Sequence, residues 1–222
     1  MRAIGAMMGL TLACLATPSA AAAQDADPLA PLSDEATASP DAQQVIGWVA
    51  ISGDNNGRPY MVIDKVAAEA FVFDAEGKLA GKTAVLIGSA KGDESAPGIG
   101  ERELRHIPPA ERTTPAGRFV ARFGPAAGHQ KVIWVDWTTA VSLHPVVTAN
   151  KSEHRLQRLA SLTPDDNRIT YGCINVPADF YREIVAPMLA DTEAIVYILP
   201  EERSLKDVFW AGSGSAQAAE GN

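Results

Sequence analysis

The chain has 222 residues, 46% of them hydrophobic, and a formal net charge of −8 at pH 7. The length suits one domain with flanking tails, and the acidic balance argues against DNA, RNA or anionic lipid as partners. Beyond the N-terminus no apolar stretch is long enough to cross a membrane as a helix, so we expect no membrane span in the mature chain.

Residues 1–23 have the pattern of a cleaved signal peptide. Arg2 supplies a positive start, residues 3–16 form a short apolar run, and Ala21-Ala22-Ala23 fits a small-residue cleavage site. The run is too short for a spanning helix, and the residues before Cys14 fit lipidation poorly. We therefore predict cleavage and secretion, which removes Cys14 and leaves Cys173 as the only thiol.

The composition divides the rest of the chain into three parts. Residues 24–44 are rich in Ala, Pro, Asp and Ser and read as a flexible linker. Residues 45–200 carry the patterned sequence of one domain. Residues 201–222 are predicted to be a C-terminal tail that is partly disordered.

The first half of the domain is strand-like. Short apolar runs predict four strands, at 45–51, 60–63, 70–73 and 83–87. The turn residues 74–78 predict a hairpin between the third and the fourth. Residues 88–114 then form a loop rich in Gly, Pro and charge, and loops of this length are usually binding loops or lids.

The second half adds strands and two helices. The strands are predicted at 117–123, 132–137, 141–144 and 193–199. One helix is expected over 152–162 and another from Pro177, with Phe180, Ile184 and Leu189 facing inward. We predict a mainly β domain, a sandwich or barrel-like mixed sheet with about two short helices. A regular strand would place Trp134 and Trp137 on opposite faces.

Cys173 is the strongest candidate for chemistry. Gly172 precedes it and allows a sharp turn, and the helix predicted from Pro177 would favour a thiolate nearby. A thiolate nucleophile needs a basic or cationic partner. His144 is the best placed of the four histidines because it ends a predicted strand, whereas His154 reads as a surface residue. The spacing of Cys and His predicts no metal site, and we expect no cofactor.

Three segments together resemble a known family. Thr170-Tyr171-Gly172-Cys173-Ile174-Asn175 resembles the cysteine signature of L,D-transpeptidase catalytic domains of the YkuD type. The segment from Thr114 to Phe119 resembles the Thr-Pro-x-Gly-x-Phe pattern of that family, and Leu143-His144 resembles the segment of its catalytic histidine. The segments follow in the family's order, and the resemblance covers residues 45–200.

Three features depart from the family pattern. Tyr171 stands where the family usually has His, and Pro145 stands where it usually has Gly. The segment between His144 and Cys173 is longer than usual and holds the helix predicted at 152–162.

The resemblance implies a fold, a substrate and an activity. It implies a YkuD-type fold and a cysteine acyltransferase that acts on peptidoglycan stem peptides in the periplasm or cell envelope of a bacterium. Separately, we expect the protein to be a monomer. Cys173 would attack the L,D-peptide bond before the terminal D-alanine of a tetrapeptide stem, and His144 would assist. Backbone N–H groups of Gly172 and Cys173 would stabilise the oxyanion. An amine acceptor would then resolve the thioester.

The roles of four further residues, and two alternative functions, stay open. Tyr171, Thr170, Arg168 and Asn175 are candidates for substrate binding, and each has a structural alternative; for Arg168 this is an ion pair with Asp165 or Asp166. Water as the acceptor would make the protein an L,D-carboxypeptidase or a peptidase that cleaves wall linkages. The third possibility is a catalytically silent wall-binding module with an unreactive Cys173.

Overall fold

A computed structural model describes residues 38–126 and 131–210. The predicted signal peptide (1–23), most of the predicted linker (24–37) and the end of the predicted tail (211–222) lie outside the described residues. Within the described part of the chain, no helix is both long and apolar enough to cross a membrane.

Eight strands form one mixed sheet, in the order β3-β2-β1-β10-β5-β6-β7-β9. A separate parallel pair joins β4 to β8. The strands are β1 Tyr60–Asp64, β2 Glu69–Phe73, β3 Leu79–Ala84, β4 Ile87–Gly88, β5 Gly117–Pro125, β6 Lys131–Asp136, β7 Val141–Pro145, β8 Arg168–Thr170, β9 Ile174–Val176 and β10 Ala194–Ile198.

The sheet nearly closes on itself. Leu86, just beyond the edge strand β3, exchanges two backbone hydrogen bonds of 2.8 Å with Asn175 in the other edge strand, β9. Most neighbours are antiparallel, but β1–β10 and β7–β9 are parallel. This barrel-like mixed sheet with short helices confirms the predicted fold class.

Two apolar cores lie on opposite faces of the first strands. In β1, Met61 and Ile63 face the interior of the curved sheet, whereas Tyr60 and Val62 face outward, as the alternation of a strand requires. The inner core continues through Ile133, Leu143, Ile174 and Val176. The outer core is covered by the N-terminal helix and the C-terminal segment, so both faces of β1 and β10 are buried.

The prediction of a strand at 45–51 is wrong. Pro40–Ser52 is a helix, α1, capped by the Ser39 hydroxyl, which accepts from the Ala42 N–H. Its buried residues are spaced as one helical face, against the outer core: Ala42, Val45, Ile46 and Val49. α1 also takes in residues 40–44 of the predicted linker, so the predicted domain boundary falls inside a helix.

The other helical segments are short. The segment predicted at 152–162 holds a 3-10 turn, Lys151–Glu153, and only a five-residue helix, α2 Arg155–Leu159, none of whose side chains is fully buried. The predicted helix after Pro177 is present as α3 Ala178–Phe180, a π-helical turn Tyr181–Val185 and α4 Ala186–Met188. The prediction of a strand throughout 83–87 was wrong, because residues 85 and 86 separate β3 from β4.

The first part of the predicted C-terminal tail is packed on the domain. Leu205 is buried, and Phe209 in the π-helical turn Lys206–Trp210 packs against the outer core. The rings of Phe209 and Trp48 lie 6.4 Å apart, which joins this turn to α1.

Candidate active site

Cys173 lies in a tight turn between β8 and β9, and Gly172 makes that turn possible. Gly172 has φ of +129°, a backbone conformation that side chains with a Cβ rarely adopt. A Cβ at this position would also lie 2.7 Å from the carbonyl oxygen of Thr113. Two independent restrictions therefore require glycine next to the cysteine.

Two threonines hold the turn. The Thr170 hydroxyl donates to the Cys173 carbonyl at 2.6 Å and accepts from the Gly172 N–H at 3.1 Å. The Thr114 hydroxyl, at the end of the long loop, donates to the Gly172 carbonyl at 2.8 Å and accepts from the Gly88 N–H at 2.9 Å. The structure thus places Thr170 inside the cysteine turn and Thr114 across it.

The helix after Pro177 begins too far from Cys173 to favour its thiolate. Strand β9 and Pro177 separate the cysteine from the first helical residue, Ala178. Three extended residues alone span about 10 Å, beyond the reach of a helix terminus. The groups that favour a thiolate lie instead on the neighbouring strand β7.

Strand β7 presents Ser142 and His144 to the cysteine turn. The parallel register pairs Leu143 with Ile174 and His144 with Asn175, so the outward side chains of β7 and β9 share one face. The Ser142 hydroxyl lies 3.5 Å from the half-buried Cys173 Sγ. The carbonyl of Ala140 lies 3.7 Å from the same sulfur.

Cysteine and histidine act on each other's protonation. Burial raises the pKa of the Cys173 thiol, but its interactions with His144 and Ser142 lower it more, so its pKa is below the usual value. Burial lowers the pKa of His144, and its interactions with Cys173 and the Pro145 carbonyl raise it above the usual value overall. The charge of Arg155 acts in the opposite direction, lowering the pKa of His144.

The hydrogen bonds of His144 define its tautomer. Its Nδ1 lies 2.8 Å from the Pro145 carbonyl, which only accepts, so Nδ1 carries the proton. Its Nε2 lies 3.1 Å from the Asn175 side-chain amide. The Asn175 Oδ1 accepts from the Arg155 guanidinium at 2.8 Å, so the amide group facing His144 is the donor NH2. The Nε2 therefore accepts, and the imidazole in this arrangement is neutral.

Arg155 was not among the sequence candidates. It is the first residue of α2, in the segment between His144 and Cys173 that is longer than the family pattern, and its side chain is only 13% exposed. Glu153 holds the guanidinium through an ion pair at 2.5 Å. The sequence did offer one signal for Arg155: it is an arginine in the segment that makes the stretch between His144 and Cys173 longer than the family pattern.

Tyr171 packs beneath an arginine of the long loop. The guanidinium of Arg112 lies 4.1 Å from the centre of the Tyr171 ring. Arg112 also donates twice to the Ile107 carbonyl, at 3.1 and 3.0 Å. The structure therefore gives Tyr171 a cation–π contact that helps to hold the loop beside the cysteine turn.

Arg168 belongs to a different cluster. Its guanidinium is paired with Glu201 and donates to the Lys65 carbonyl at 3.3 Å. The ion-pair partner is thus neither Asp165 nor Asp166, and the side chain is only 10% exposed.

The two backbone N–H groups predicted to stabilise the oxyanion differ in whether they are already hydrogen-bonded. The Gly172 N–H is already bonded to the Thr170 hydroxyl. The Cys173 N–H has no hydrogen-bond acceptor within residues 38–126 and 131–210. Only the second amide is free to receive a ligand oxygen in this arrangement.

Comparisons with known proteins give structural neighbours only. No family model and no curated protein matches the chain. The catalytic domain of the E. faecium L,D-transpeptidase is 19% identical, covers 64% of this chain and 98% of that one, and has a TM-score of 0.39. The L,D-transpeptidase from Mycobacterium smegmatis is 16% identical, with coverage of 64% and 58% and a TM-score of 0.37.

A further neighbour is the helical cell shape determining protein Pgp2 from Campylobacter jejuni. It is 14% identical, covers 70% of this chain and 55% of that one, and has a TM-score of 0.43. In most of these matches the chain spans about half of the other protein's length. At these identities and TM-scores the matches carry no statement about activity.

Proposed function

We propose that this chain is a secreted cysteine acyltransferase of the L,D-transpeptidase type, acting on peptidoglycan stem peptides in the cell envelope. The observation that carries the proposal is the arrangement of Cys173 in a glycine turn beside His144 on the parallel strand β7. The lowered pKa of the thiol and the raised pKa of the imidazole are the shifts that a nucleophile and its base require. The motif resemblance supplies the substrate class.

The first half-reaction forms a thioester. The Cys173 thiol gives its proton to His144 Nε2, whose contact with the Asn175 amide must open because that NH2 group cannot face an N–H. The thiolate attacks the carbonyl of the L,D-peptide bond, and the free Cys173 N–H stabilises the oxyanion. The C–N bond then breaks, and His144 returns its proton to the leaving D-alanine amine.

The second half-reaction resolves the thioester. The amine of a neighbouring stem attacks the carbonyl, gives a proton to His144 and displaces the thiolate, which yields a crosslink. Neutral His144 suits this step because its Nε2 lone pair can take the proton from the attacking amine. If water attacks instead, the product is a shortened stem with a free carboxylate.

Product analysis by mass spectrometry tests the proposal. The chain from Gln24 onward is incubated with disaccharide-tetrapeptide muropeptides, in parallel with Cys173→Ala. We expect crosslinked dimers that disappear in the variant. His144→Ala should also lose the product, and His154→Ala, at an exposed position, is the matched control and should retain it.

Other products would redirect the assignment. Monomers that have lost only D-alanine would favour the hydrolytic carboxypeptidase. An unchanged substrate with folded protein, together with a thiol that reacts slowly at neutral pH, would favour the silent wall-binding module and reject the enzyme.

A further inference from the structure

Two tryptophans form a shelf on the face of the sheet that carries Ser142 and His144. The shelf consists of Trp134, Trp137, Arg122 and Gly124, and it borders a cavity of about 390 Å³. The two indole rings lie 4.7 Å apart at an angle of 70°. Trp137 is 70% exposed, which is unusual for so large an apolar side chain.

The strand register places the shelf in line with the candidate active site. Trp134 is paired with Arg122 on one side and with Ser142 on the other. Its neighbours Ile133 and Val135 point into the inner core, so Trp134 points outward, as Ser142 does. One row of side chains thus leads from the shelf to the residue that contacts the Cys173 sulfur.

The orientation of Trp134 is fixed by its surroundings. The indole N–H donates to the Pro125 carbonyl at 3.2 Å. The ring crosses directly over Gly124, where a Cβ would lie 2.5 Å from the indole Cδ1. The glycine therefore makes room for a ring that lies close to the backbone of β5.

Trp137 begins the turn that contacts the thiol. The regular-strand prediction of opposite faces for the two tryptophans is wrong, because β6 ends at Asp136 and Trp137 lies in the following turn. The Ala140 N–H donates to the Trp137 carbonyl at 3.3 Å, and the Ala140 carbonyl lies 3.7 Å from Cys173 Sγ. These two contacts together place the Trp137 carbonyl no more than about 10 Å from the sulfur.

We propose that the tryptophan shelf binds an N-acetylhexosamine ring of the glycan strand that carries the stem peptide. This assignment of the ligand rests on the function proposed above. The C–H face of a pyranose ring is attracted to the negative face of an indole, and its hydroxyls suit a charged rim. Arg122 is 66% exposed and pairs with Glu193 at 3.2 Å, which supplies a donor and an acceptor at the edge of the shelf.

The length of the stem agrees with this placement. In a tetrapeptide stem, three residues separate the glycan from the carbonyl that Cys173 would attack. An extended chain of three residues spans about 10 Å, which is long enough to reach from the shelf to the sulfur. A pyranose ring is comparable in size to the face of an indole, so the shelf suits the sugar of this substrate.

Calorimetric titration with a peptide-free sugar tests the shelf without turnover. The Cys173→Ala protein is titrated with the β-1,4-linked tetramer of N-acetylglucosamine. We expect binding that Trp137→Ala weakens by about tenfold, because truncating a tryptophan in a contact site commonly has an effect of this size. Leu156→Ala removes an exposed apolar side chain on α2 and is the matched control that should bind normally.

Several results would overturn the proposal. These are no binding of the tetramer, equal binding by Trp137→Ala, or a shelf that binds a sugar-free stem peptide instead. A dimer that Trp137→Ala dissociates in sedimentation would make the shelf an interface between copies of the chain and would also overturn it.

The failure of this proposal differs from the failure of the proposed enzyme. In the active protein, Trp137→Ala should raise KM for the disaccharide-tetrapeptide but not for the sugar-free tetrapeptide. If the tetramer binds and no muropeptide reacts, the saccharide site stands and the transpeptidase assignment fails. If muropeptides react and Trp137→Ala changes neither KM nor binding, only the saccharide site fails.

Discussion

Two of the polar clusters in the described part of the chain, each with an arginine, differ in what they leave unbonded. The closed cluster consists of Lys65, Asp93, Arg168 and Glu201, whose side chains are all at most 10% exposed. The open cluster consists of Arg155, Asn175 and His144, which hydrogen bonds join, and of the neighbouring half-buried Cys173.

The closed cluster satisfies its groups internally. Lys65 donates to Asp93 at 2.7 Å and to the carbonyls of Gly92 and Thr114 at 2.6 and 3.0 Å. Asp93 also accepts three backbone N–H groups, from residues 201–203. The cluster therefore ties the long loop to β1 and to the C-terminal segment.

The open cluster ends at groups that retain bonding capacity. The Cys173 N–H has no acceptor within the described ranges, and the contact between Asn175 and His144 can open when a proton arrives. A buried charge whose partners are all inside the protein has nothing left to offer a ligand. An unpaired N–H group and a histidine nitrogen whose partner can move away remain able to act on one.

Lys65→Met should have the largest effect, because it leaves the buried Asp93 carboxylate without its cation and leaves Glu201 with Arg168 alone. Breaking a buried ion pair in this way costs about 3–5 kcal/mol. We expect a loss of this size in the free energy of unfolding, measured with urea. Lys78→Met, at an exposed position, should be nearly neutral, and a loss at Lys65 below about 1 kcal/mol would show that the closed cluster is dispensable.

The rate at which Cys173 is alkylated should report how much of its thiol is deprotonated. The pKa of Cys173 is lowered, so the thiolate fraction should persist as pH falls below the usual thiol range near 8.5. His144→Ala removes an interaction that lowers this pKa, so the rate of alkylation by iodoacetamide at pH 7 should fall by about tenfold. His154→Ala is the control, and equal rates in all three proteins would contradict the coupling.

Arg155→Met should release the orientation of Asn175. The amide can then rotate its oxygen toward His144 Nε2, and the loss of the positive charge acts in the same direction, so the pKa of His144 should rise further. The charged or titratable groups involved are Cys173, Arg155 and its partner Glu153. A 15N NMR titration of the imidazole measures both the tautomer and the pKa.

The effect of Arg155 on activity should be smaller than that of the nucleophile or base. We expect turnover to fall by about tenfold, a size typical of residues that orient a reacting group. Arg155→Lys keeps the charge and should recover part of the loss. Unchanged imidazole shifts in Arg155→Met would contradict the proposed role of the Asn175 amide.

Tyr171→Leu should have the smallest effect. It removes the ring beneath Arg112, and a cation–π contact at a partly exposed site contributes about 0.5–1 kcal/mol. The free energy of unfolding should fall by that amount. Tyr171→Phe keeps the ring and should restore it, whereas a loss of turnover in Tyr171→Phe would indicate that the hydroxyl contacts substrate.

Local sequence signals predicted the cysteine turn and most of the strands. Gly172 could be identified as a turn residue because its conformational freedom is a property of one residue. The hairpin turn at 74–78 and the strand before it followed from turn residues and a short apolar run, which are features of a few positions. The segment 45–51 failed because a short apolar run does not distinguish a buried strand from a helix face.

The candidate site was predicted only in part, because its contacts depend on how distant segments of the chain pack together. Cys173 and His144 could be selected as candidates, but the role of Asn175 depends on the register of β9 against β7. Arg155 enters the site only because α2 folds back toward that strand pair. Arg168 was a candidate by its closeness to Cys173 in sequence, and the fold directs its side chain to Glu201.

The sequence by itself determined the mainly β character, the turn that presents Cys173 and the pairing of a thiol with a histidine as the candidate chemistry. The tertiary structure decided which arginine acts on His144, which amide is free and where the two tryptophans meet. The physical reason is the distance along the chain over which each kind of preference acts. Turn and strand preferences arise within a few residues, whereas strand register and loop packing bring together groups that are far apart in the chain.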